Sequence, residues 1–249
     1  MEQRVASSSI GKPDSPSLQH ATADIEPGVS IHYVVAGSGP RTVVLLHGFP
    51  QTWRAWRHII PRLANAGFRV IAPDYRGAGN SSKPLSGYDK RTMATDIYRL
   101  LYEHLKLSCP VAMVGHDIGL MSGREREYLQ WFFNFRISNP AAITEADFRD
   151  YLTAYTAPGA MRAAFELYRS FDQDPKDNRD LLANKGKPRI PVLVAVGATS
   201  PTASPVRGMM EEVSTDPRVL PLPGAGHWIA EENPEGFAAG LIDFMGPHR

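Results

Sequence analysis

Four short apolar runs constrain most strongly what this 249-residue chain can fold into. The runs are RTVVLLHG (41–48), FRVIAPD (68–74), PVAMVG (110–115) and RIPVLVAVG (189–197). A short run without polar alternation is typical of a strand that is buried on both faces of a sheet. Amphipathic helical patterns, such as that of residues 90–106, stand between several of them. Strands that alternate with helices predict an α/β fold with a mostly parallel sheet and helices on both faces.

The remaining segments complete this pattern at both ends of the chain. Residues 29–37 read as a further strand, 218–224 as a weaker last strand, and 234–245 as a closing helix. Residues 1–27 are rich in Ser, Pro, Asp and Ala, which predicts a flexible tail that contributes little to the core.

One stretch breaks the alternation of strands and helices. Between Gly115 and Arg189 there is no strand pattern, and several helical patterns follow one another instead. Thr144 and Asp147 have the spacing of a capping box at the start of one of these helices. We therefore divide the chain into a tail (1–27), a first core part (28–121), a partial helical cap over the strand ends (122–188) and a second core part (189–249).

Composition excludes several classes of function. Hydrophobic residues make up 43% and charged residues 21%, which is an ordinary globular mixture. A net charge of +1 gives no basis for binding nucleic acid or an anionic membrane. The single cysteine, Cys109, excludes an internal disulfide, and no Cys/His cluster predicts a metal site. No apolar run is long enough for a membrane span or a secretory signal, so we expect a cytoplasmic protein.

The pentapeptide GHDIG (115–119) carries the first indication of chemistry. It follows a predicted strand and has the glycine spacing of the nucleophile elbow G-x-S-x-G, with Asp117 in place of serine. HGFP (47–50) follows an earlier strand, where a backbone N–H can complete an oxyanion hole. GHW (226–228) follows the last strand, which makes His227 a candidate catalytic base. His47 is interpreted as a turn residue.

These motifs resemble those of the α/β-hydrolases of epoxide-hydrolase type. The resemblance rests on four segments in the family's order. They are HGFPQTWRAW (47–56), PDYRGAGNSSKP (73–84), VGHDIGLM (114–121) and GAGHWIAEENPEGF (224–237). The resemblance implies an α/β-hydrolase fold, Asp117 as nucleophile, His227 as base, and the backbone N–H groups of Phe49 and Ile118 as the oxyanion hole. It also implies that Tyr168 is a lid tyrosine that donates a proton to the substrate, although an aromatic residue merely packed in the cap is the competing interpretation.

The residue types fit one reaction. A carboxylate attacks a strained carbon and forms an ester, a tyrosine protonates the departing alkoxide, and a histidine activates the water that cleaves the ester. The chemistry requires neither a metal nor an organic cofactor. The expected partner is a small hydrophobic epoxide or halide.

The chain departs from the family pattern at two places. Residues GLM run directly into SGREREYLQWFF, so that several tens of residues, including one sheet strand, are missing after Met121. This loss predicts either unpaired strand edges or two flanking strands forced together. The acid that would orient His227 is also missing, because Ser200 stands at its expected position and Glu211 and Glu212 come too late, on a predicted helix. A deletion in a longer enzyme explains both departures.

Two alternatives remain open at the level of sequence. A dehalogenase uses the same Asp nucleophile, but Ile118 stands where haloalkane members have Trp and fluoroacetate-type members have Arg, which favours epoxides. Trp53 and Trp131 are interpreted as core residues. The alternative interpretation is that either of them forms a wall of a halide or substrate site. A non-catalytic small-molecule-binding protein of the same fold is the other alternative, and the missing acid favours it. A serine esterase is disfavoured because no serine occupies the elbow.

Overall fold

The computed structural model describes residues 16–116 and 125–246 of the chain. Its strands are β1 (Gln19–Glu26), β2 (Val29–Ala36), β3 (Arg41–Leu46), β4 (Phe68–Pro73), β5 (Val111–Gly115), β6 (Val192–Gly197) and β7 (Pro217–Leu222). Its helices are α1 (Ile60–Asn65), α2 (Lys90–Tyr98), α3 (Glu125–Arg136), α4 (Glu145–Thr156), α5 (Ala160–Arg169), α6 (Asp174–Lys185), α7 (Val206–Val213), α8 (Ile229–Glu232) and α9 (Pro234–Met245). The four continuous apolar runs contain β3, β4, β5 and β6, so all four form strands, as predicted.

The strands form two sheets. Five of them are arranged in the order β1-β2-β4-β3-β5, with β3 parallel to both β4 and β5 and with β1 and β2 joined antiparallel. The second sheet holds only β6 and β7, which run parallel. Each parallel step is made through a connection that contains a helix, as such a step requires.

The two sheets are not joined by hydrogen bonds within the described residues, because β5 pairs only with β3 and β6 only with β7. Between these two strands lies a cleft of about 720 Å³, which we call the inter-sheet slot. Residues 110–115 line it on one side and residues 190–195 on the other, and α9 contributes Leu241 and Phe244. Of the two predicted consequences of a lost strand, the structure therefore has unpaired strand edges.

The expectation of a flexible tail as far as residue 27 is wrong for its last part. Gln19–Glu26 forms β1, which pairs with β2 from Gln19 opposite Val35 to Glu26 opposite Val29. Ala23 is fully buried against β2 and the π-helical segment Arg99–His104 that continues α2. Most other side chains of this edge strand are exposed. Its sequence therefore lacks the apolar pattern that identifies the inner strands.

The main hydrophobic core lies on one side of the sheets and includes residues from both of them. Val43 of β3 and Leu222 of β7 belong to one buried cluster, together with Trp56, Phe237 and Leu241. The Arg41 guanidinium also donates to the carbonyl groups of Met245 and Gly246, at the end of α9. Packing within this shared cluster thus holds the second sheet to the first. The hydrogen bonds from Arg41 to the end of α9 add to this attachment.

Helices α3–α6, which we call the helical insert, occupy the stretch in which no strand was predicted. The predicted capping box is confirmed, because Thr144 Oγ1 accepts from the Asp147 N–H at 3.2 Å and the Asp147 carboxylate accepts from the Thr144 N–H at 3.1 Å. An aromatic cluster fixes the insert to the core. Its buried members are Phe49, Leu129, Phe132, Phe133, Phe148, Tyr151, Tyr155, Ala164 and Trp228. Since Phe49 and Trp228 belong to two of the motif loops, the insert packs directly on those loops.

Candidate active site

The elbow begins beside the HGFP loop. The pairing of β5 with β3 continues one residue beyond the strand, because the N–H of His116 donates to the carbonyl of Leu46 at 3.1 Å. The residues that follow Leu46 are the HGFP loop. Asp117 and Ile118, the predicted nucleophile and second oxyanion donor, lie outside the described residues, so that His116 is the last described residue before them.

The loop of His227 meets the elbow at His116. The imidazole Nε2–H of His116 donates to the carbonyl oxygen of His227 at 2.9 Å, and the two ring centroids lie 4.9 Å apart. The hydrogen bond fixes the proton of His116 on Nε2, since a carbonyl can only accept. The residue that directly precedes Asp117 is therefore in contact with the predicted base.

Phe49 joins the HGFP loop to the helical insert. It is fully buried, and its ring makes edge contacts with Phe132, Tyr155 and Tyr168 at centroid distances of 5.8, 5.0 and 6.4 Å. Tyr168 thus lies beside the HGFP loop, and its role as a lid proton donor stays a prediction.

A second insert tyrosine that sequence reasoning missed stands beside it. The Tyr155 hydroxyl donates to the carbonyl of Gln51 at 3.1 Å, and burial together with the neighbouring Tyr75 hydroxyl raises the pKa of Tyr155 well above its usual value. A phenol of raised pKa holds its proton as a hydrogen-bond donor. The only signal in the sequence was a tyrosine in the third turn of α4.

His47 and Asp74 belong to the structural framework of the site. The His47 ring is buried, stacks on Tyr75 at 4.2 Å and donates from Nδ1 to the Gly48 carbonyl at 2.9 Å. Burial lowers its pKa. The Asp74 carboxylate accepts from His32 Nδ1 at 2.8 Å and from the Trp53 N–H at 2.8 Å. Burial opposes the charge of Asp74, but the hydrogen bond from His32 and the field of His47 outweigh it and lower the pKa.

The segment after β6 offers His227 no orienting acid at the expected position. The Ser200 hydroxyl lies 2.9 Å from that of Thr202, in a turn that follows β6. Glu211 lies on α7, as expected, and forms an exposed ion pair with Arg207 at 3.7 Å. Two acids that sequence reasoning did not single out, Glu231 and Glu232, lie instead on α8, directly after the GHW motif.

The two tryptophans considered as possible walls of the site, Trp53 and Trp131, differ in their burial. Trp131 is 56% exposed and stacks on Phe135 at 5.3 Å, so its interpretation as a core residue is wrong. Trp53 is half-buried against the main core.

In residues 16–116 and 125–246, no group of three or more His, Cys, Asp or Glu side chains is placed to hold a metal ion. No helix in these ranges has both the length and the apolar character needed to cross a membrane.

Comparison with known proteins identifies the fold class of the chain. The profile of the alpha/beta hydrolase fold matches residues 41–121. Cfl2 from Burkholderia cenocepacia superposes on the chain with a TM-score of 0.84 and 29% identity, over 94% of this chain and 98% of that one. The epoxide hydrolase CorEH superposes with a TM-score of 0.80 and 27% identity, over 92% and 99% of the two chains. The fold of the chain is that of an α/β-hydrolase.

The family follows from a curated relative. The soluble epoxide hydrolase of Corynebacterium sp. strain C12 is 30% identical over 294 aligned positions, which cover 94% of this chain and 100% of the relative. The chain belongs to the epoxide-hydrolase-like family of α/β-hydrolase enzymes.

Proposed function

We propose that this protein opens small hydrophobic epoxides to diols through an ester intermediate on Asp117, in the cytoplasm. The contact between His116 and the His227 carbonyl carries the proposal, because it joins the start of the elbow to the loop of the base. The curated relative is named a soluble epoxide hydrolase and one structural relative is named an epoxide hydrolase, which supports this substrate class.

The first half of the reaction forms the ester. A carboxylate oxygen of Asp117 attacks one epoxide carbon, a C–O ester bond forms, and the bond from that carbon to the epoxide oxygen breaks. The oxygen leaves as an alkoxide and takes the proton of the Tyr168 hydroxyl. Buried aromatic rings from Phe49, Phe132 and Tyr155 lie where the HGFP loop meets the insert, beside Tyr168, and favour an apolar substrate.

The second half cleaves the ester. His227 removes one proton from a water molecule, and the resulting hydroxide attacks the carbonyl carbon of the ester. The N–H groups of Phe49 and Ile118 stabilise the oxyanion that develops. The intermediate collapses with cleavage of the ester bond, and the departing diol oxygen takes the proton from His227. The second proton of the water restores Tyr168, so that one epoxide and one water give one diol.

We further propose that the chain lacks a segment after Met121 and that turnover is impaired as a result. Three observations support this proposal. The profile match ends at residue 121, the alignment with the Corynebacterium relative is longer than this chain, and β5 and β6 leave the inter-sheet slot between them. Loss of the acid that orients a catalytic histidine can lower the rate by about 10⁴-fold in a serine-type triad.

A single-turnover experiment in H₂¹⁸O tests the ester mechanism. Excess protein is mixed with an aryl epoxide such as styrene oxide, and both diol and protein are analysed by mass spectrometry. We expect ¹⁸O in the peptide that carries Asp117 and none in the first diol, because water attacks the ester carbonyl. Asp117→Asn should abolish turnover, whereas the matched exposed variant Asp216→Asn should leave it unchanged. ¹⁸O in the first diol would contradict the ester.

The same assay decides between this function and the two alternatives. Halide release from a haloalkane, with no diol from the epoxide, would identify a dehalogenase. The division of the sheet favours the other candidate, a binding protein without turnover. Such a protein would hold the epoxide with equal affinity in the wild type and in Asp117→Asn, and would form no ester.

A further inference from the structure

The backbone around His227 is held by a single carboxylate. Glu232 Oε1 accepts from the N–H groups of Gly226 and Trp228, each at 3.0 Å, so that it bonds to the residues on both sides of His227. Glu232 Oε2 accepts from the N–H groups of Ser138 and Asn139, at 2.5 and 2.9 Å. One side chain therefore links the histidine loop to the segment that follows α3.

The other polar backbone groups of the loop bond to carbonyl, imidazole and hydroxyl groups. The His227 N–H donates to the Arg136 carbonyl at 3.0 Å, and the His227 carbonyl accepts from His116. The Ala225 carbonyl accepts from the hydroxyl of Thr199 at 2.9 Å. Hydrogen bonds to an ionised acceptor are about twice as strong as those between neutral groups. Glu232 is thus the strongest of these constraints on the loop.

The loop has no room to adopt another path on this side. A side chain on Gly226 would bring its Cβ to 2.6 Å from the Arg136 carbonyl oxygen and to 2.8 Å from the Ser138 hydroxyl. The Trp228 ring is 1% exposed, and its Nε1–H donates to the Phe133 carbonyl at 3.2 Å. With both neighbours of His227 fixed, the contacts of Glu232 restrict the direction of the His227 Cα–Cβ bond, together with the His227 N–H and the Trp228 ring.

We infer that Glu232 is a positioning residue for His227, acting through the N–H groups on either side of the histidine. The inference rests on the proposed function, in which His227 activates water. Glu232 does not replace an orienting acid, because it bonds to the backbone and leaves the choice of tautomer to the ring's own partners. Its contribution is to hold the imidazole where it meets the ester.

This role predicts an effect on one half of the reaction. Ester formation needs Asp117 and Tyr168, whereas ester hydrolysis also needs His227 in place. Glu232→Ala removes all four acceptor bonds, and Glu232→Gln removes those to the oxygen that becomes an amide nitrogen. A displacement of a catalytic group by about 1 Å lowers a rate by on the order of 100-fold. We expect hydrolysis to slow by about 10- to 100-fold while ester formation stays near the wild-type rate.

Rapid-quench mass spectrometry with styrene oxide measures the two steps separately. The ester should accumulate in Glu232→Gln and Glu232→Ala, with a lower kcat and an unchanged or lower KM. The matched control is Glu235→Gln on α9, whose exposed carboxylate pairs only with Arg62 among the contacts of the described residues. Equal slowing of both steps, or slowing of neither, would overturn the inference.

A second readout does not require turnover. The ring signals of His227 in a ¹H–¹³C spectrum should shift in Glu232→Gln and stay in place in Glu235→Gln, with folding checked by circular dichroism. If the wild type forms no ester, the proposed function fails, and the spectrum alone decides the role of Glu232. An unchanged His227 ring signal in a folded Glu232→Gln protein would overturn the inference in that case.

Discussion

Glu231, the neighbour of Glu232 in the chain, points the opposite way and lies under the helical insert. Its side chain is fully buried, and the carboxylate bonds to Arg57 at 2.5 Å and to the Tyr151 hydroxyl at 2.6 Å. The side-chain amide of Gln51, directly after the HGFP loop, also donates to this carboxylate at 3.4 Å. Burial outweighs these favourable contacts and raises the pKa of Glu231 to about 7. The Glu231 carboxyl therefore binds a proton at the contact between the core and the helical insert, up to a pH of about 7.

This pKa makes the stability of the fold depend on pH. The folded state holds the Glu231 proton more tightly than the unfolded state, where the pKa is about 4.5. The resulting stabilisation is complete below pH 4.5 and is lost as the pH rises towards 7. Glu231→Gln stays neutral throughout, so we expect its stability, relative to the wild type, to increase by up to about 3 kcal/mol over this range. Urea unfolding at a series of pH values measures the difference.

Glu235→Gln serves again as the matched control, because its carboxylate is exposed and its removal should leave the pH dependence of the wild type intact. A Glu231→Gln curve that runs parallel to the wild-type curve from pH 4.5 to 7 would contradict the raised pKa.

At the residue scale, motifs identify candidate reacting groups better than supporting ones. Asp117 and His227 are recognisable because their chemistry needs a fixed residue type in a fixed local pattern. The supporting role of Glu232 depends on the four N–H groups from which it accepts hydrogen bonds. Two of these groups lie more than ninety positions away in the chain. The position of the Tyr155 hydroxyl depends on its hydrogen bond to the carbonyl of Gln51, in a distant loop. A sequence lists such residues without indicating which partners the fold gives them.

At the element scale, the end of β6 controls how closely the histidine loop approaches the second sheet. Gly197 is the last residue of β6, and a Cβ there would lie 1.9 Å from the Gly226 carbonyl oxygen and 2.4 Å from that of Ala225. Backbone atoms cannot yield by this amount without moving the loop. The glycine is therefore required by the close approach of two backbones.

We expect Gly197→Ala to lower the free energy of unfolding by about 3 kcal/mol and to lower turnover, because it forces the His227 loop outwards. The matched substitution Gly208→Ala lies within α7, where a Cβ meets no atom within 4 Å. It should raise stability by about 0.5–1 kcal/mol, since alanine favours a helix. Urea unfolding of both variants measures the difference, and equal effects of the two would contradict the role of Gly197.

Elements with a strong local signal are those that the sequence identifies. The inner strands are continuous apolar runs, and α4 has a complete capping box, so both were predicted. The edge strand β1 was missed because its outer face needs no apolar residues. Helix α6 was missed for a related reason, since it has no buried residue and hence no apolar stripe.

At the scale of the whole molecule, the inter-sheet slot exposes apolar surface that a complete sheet would cover. Met113, in the middle of β5, is 56% exposed, and Ile190, before β6, is 65% exposed. The adjoining edges of β5 and β6 have no strand partner in the described part of the chain. An apolar surface beside an open strand edge is a site of self-association.

We expect the protein to self-associate at micromolar concentration, and Met113→Lys to reduce this association because a lysine beside an open edge opposes strand pairing. Leu85→Lys is the matched control, since Leu85 is 81% exposed but lies outside the slot. Sedimentation velocity measures the fraction of monomer. An equal gain of monomer in the two variants would show that general solubility, and not the slot, governs the association.

The global architecture was predictable as far as it depends on strand order and on chain length. A mostly parallel sheet follows from the alternation of strands and helices, and the abrupt junction after Met121 is the basis for proposing a missing strand. The separation into two sheets was not predictable, because it depends on whether the core and α9 can hold β6 in place without its neighbour. The contacts of Arg41 and Leu241 do so.

The open edge of β5 has a consequence for the exchange of its amide hydrogens with solvent deuterium. Consecutive N–H groups of a strand point to opposite edges, and that of His116 points towards β3. The amides of Ala112 and Val114 therefore face the same partner, while those of Val111, Met113 and Gly115 face the slot. Deuterium should enter this one strand at every second residue, fast on the open side and slowly on the paired side. In a sheet that continued beyond β5 both sets would be protected, so the alternation itself would report the open edge.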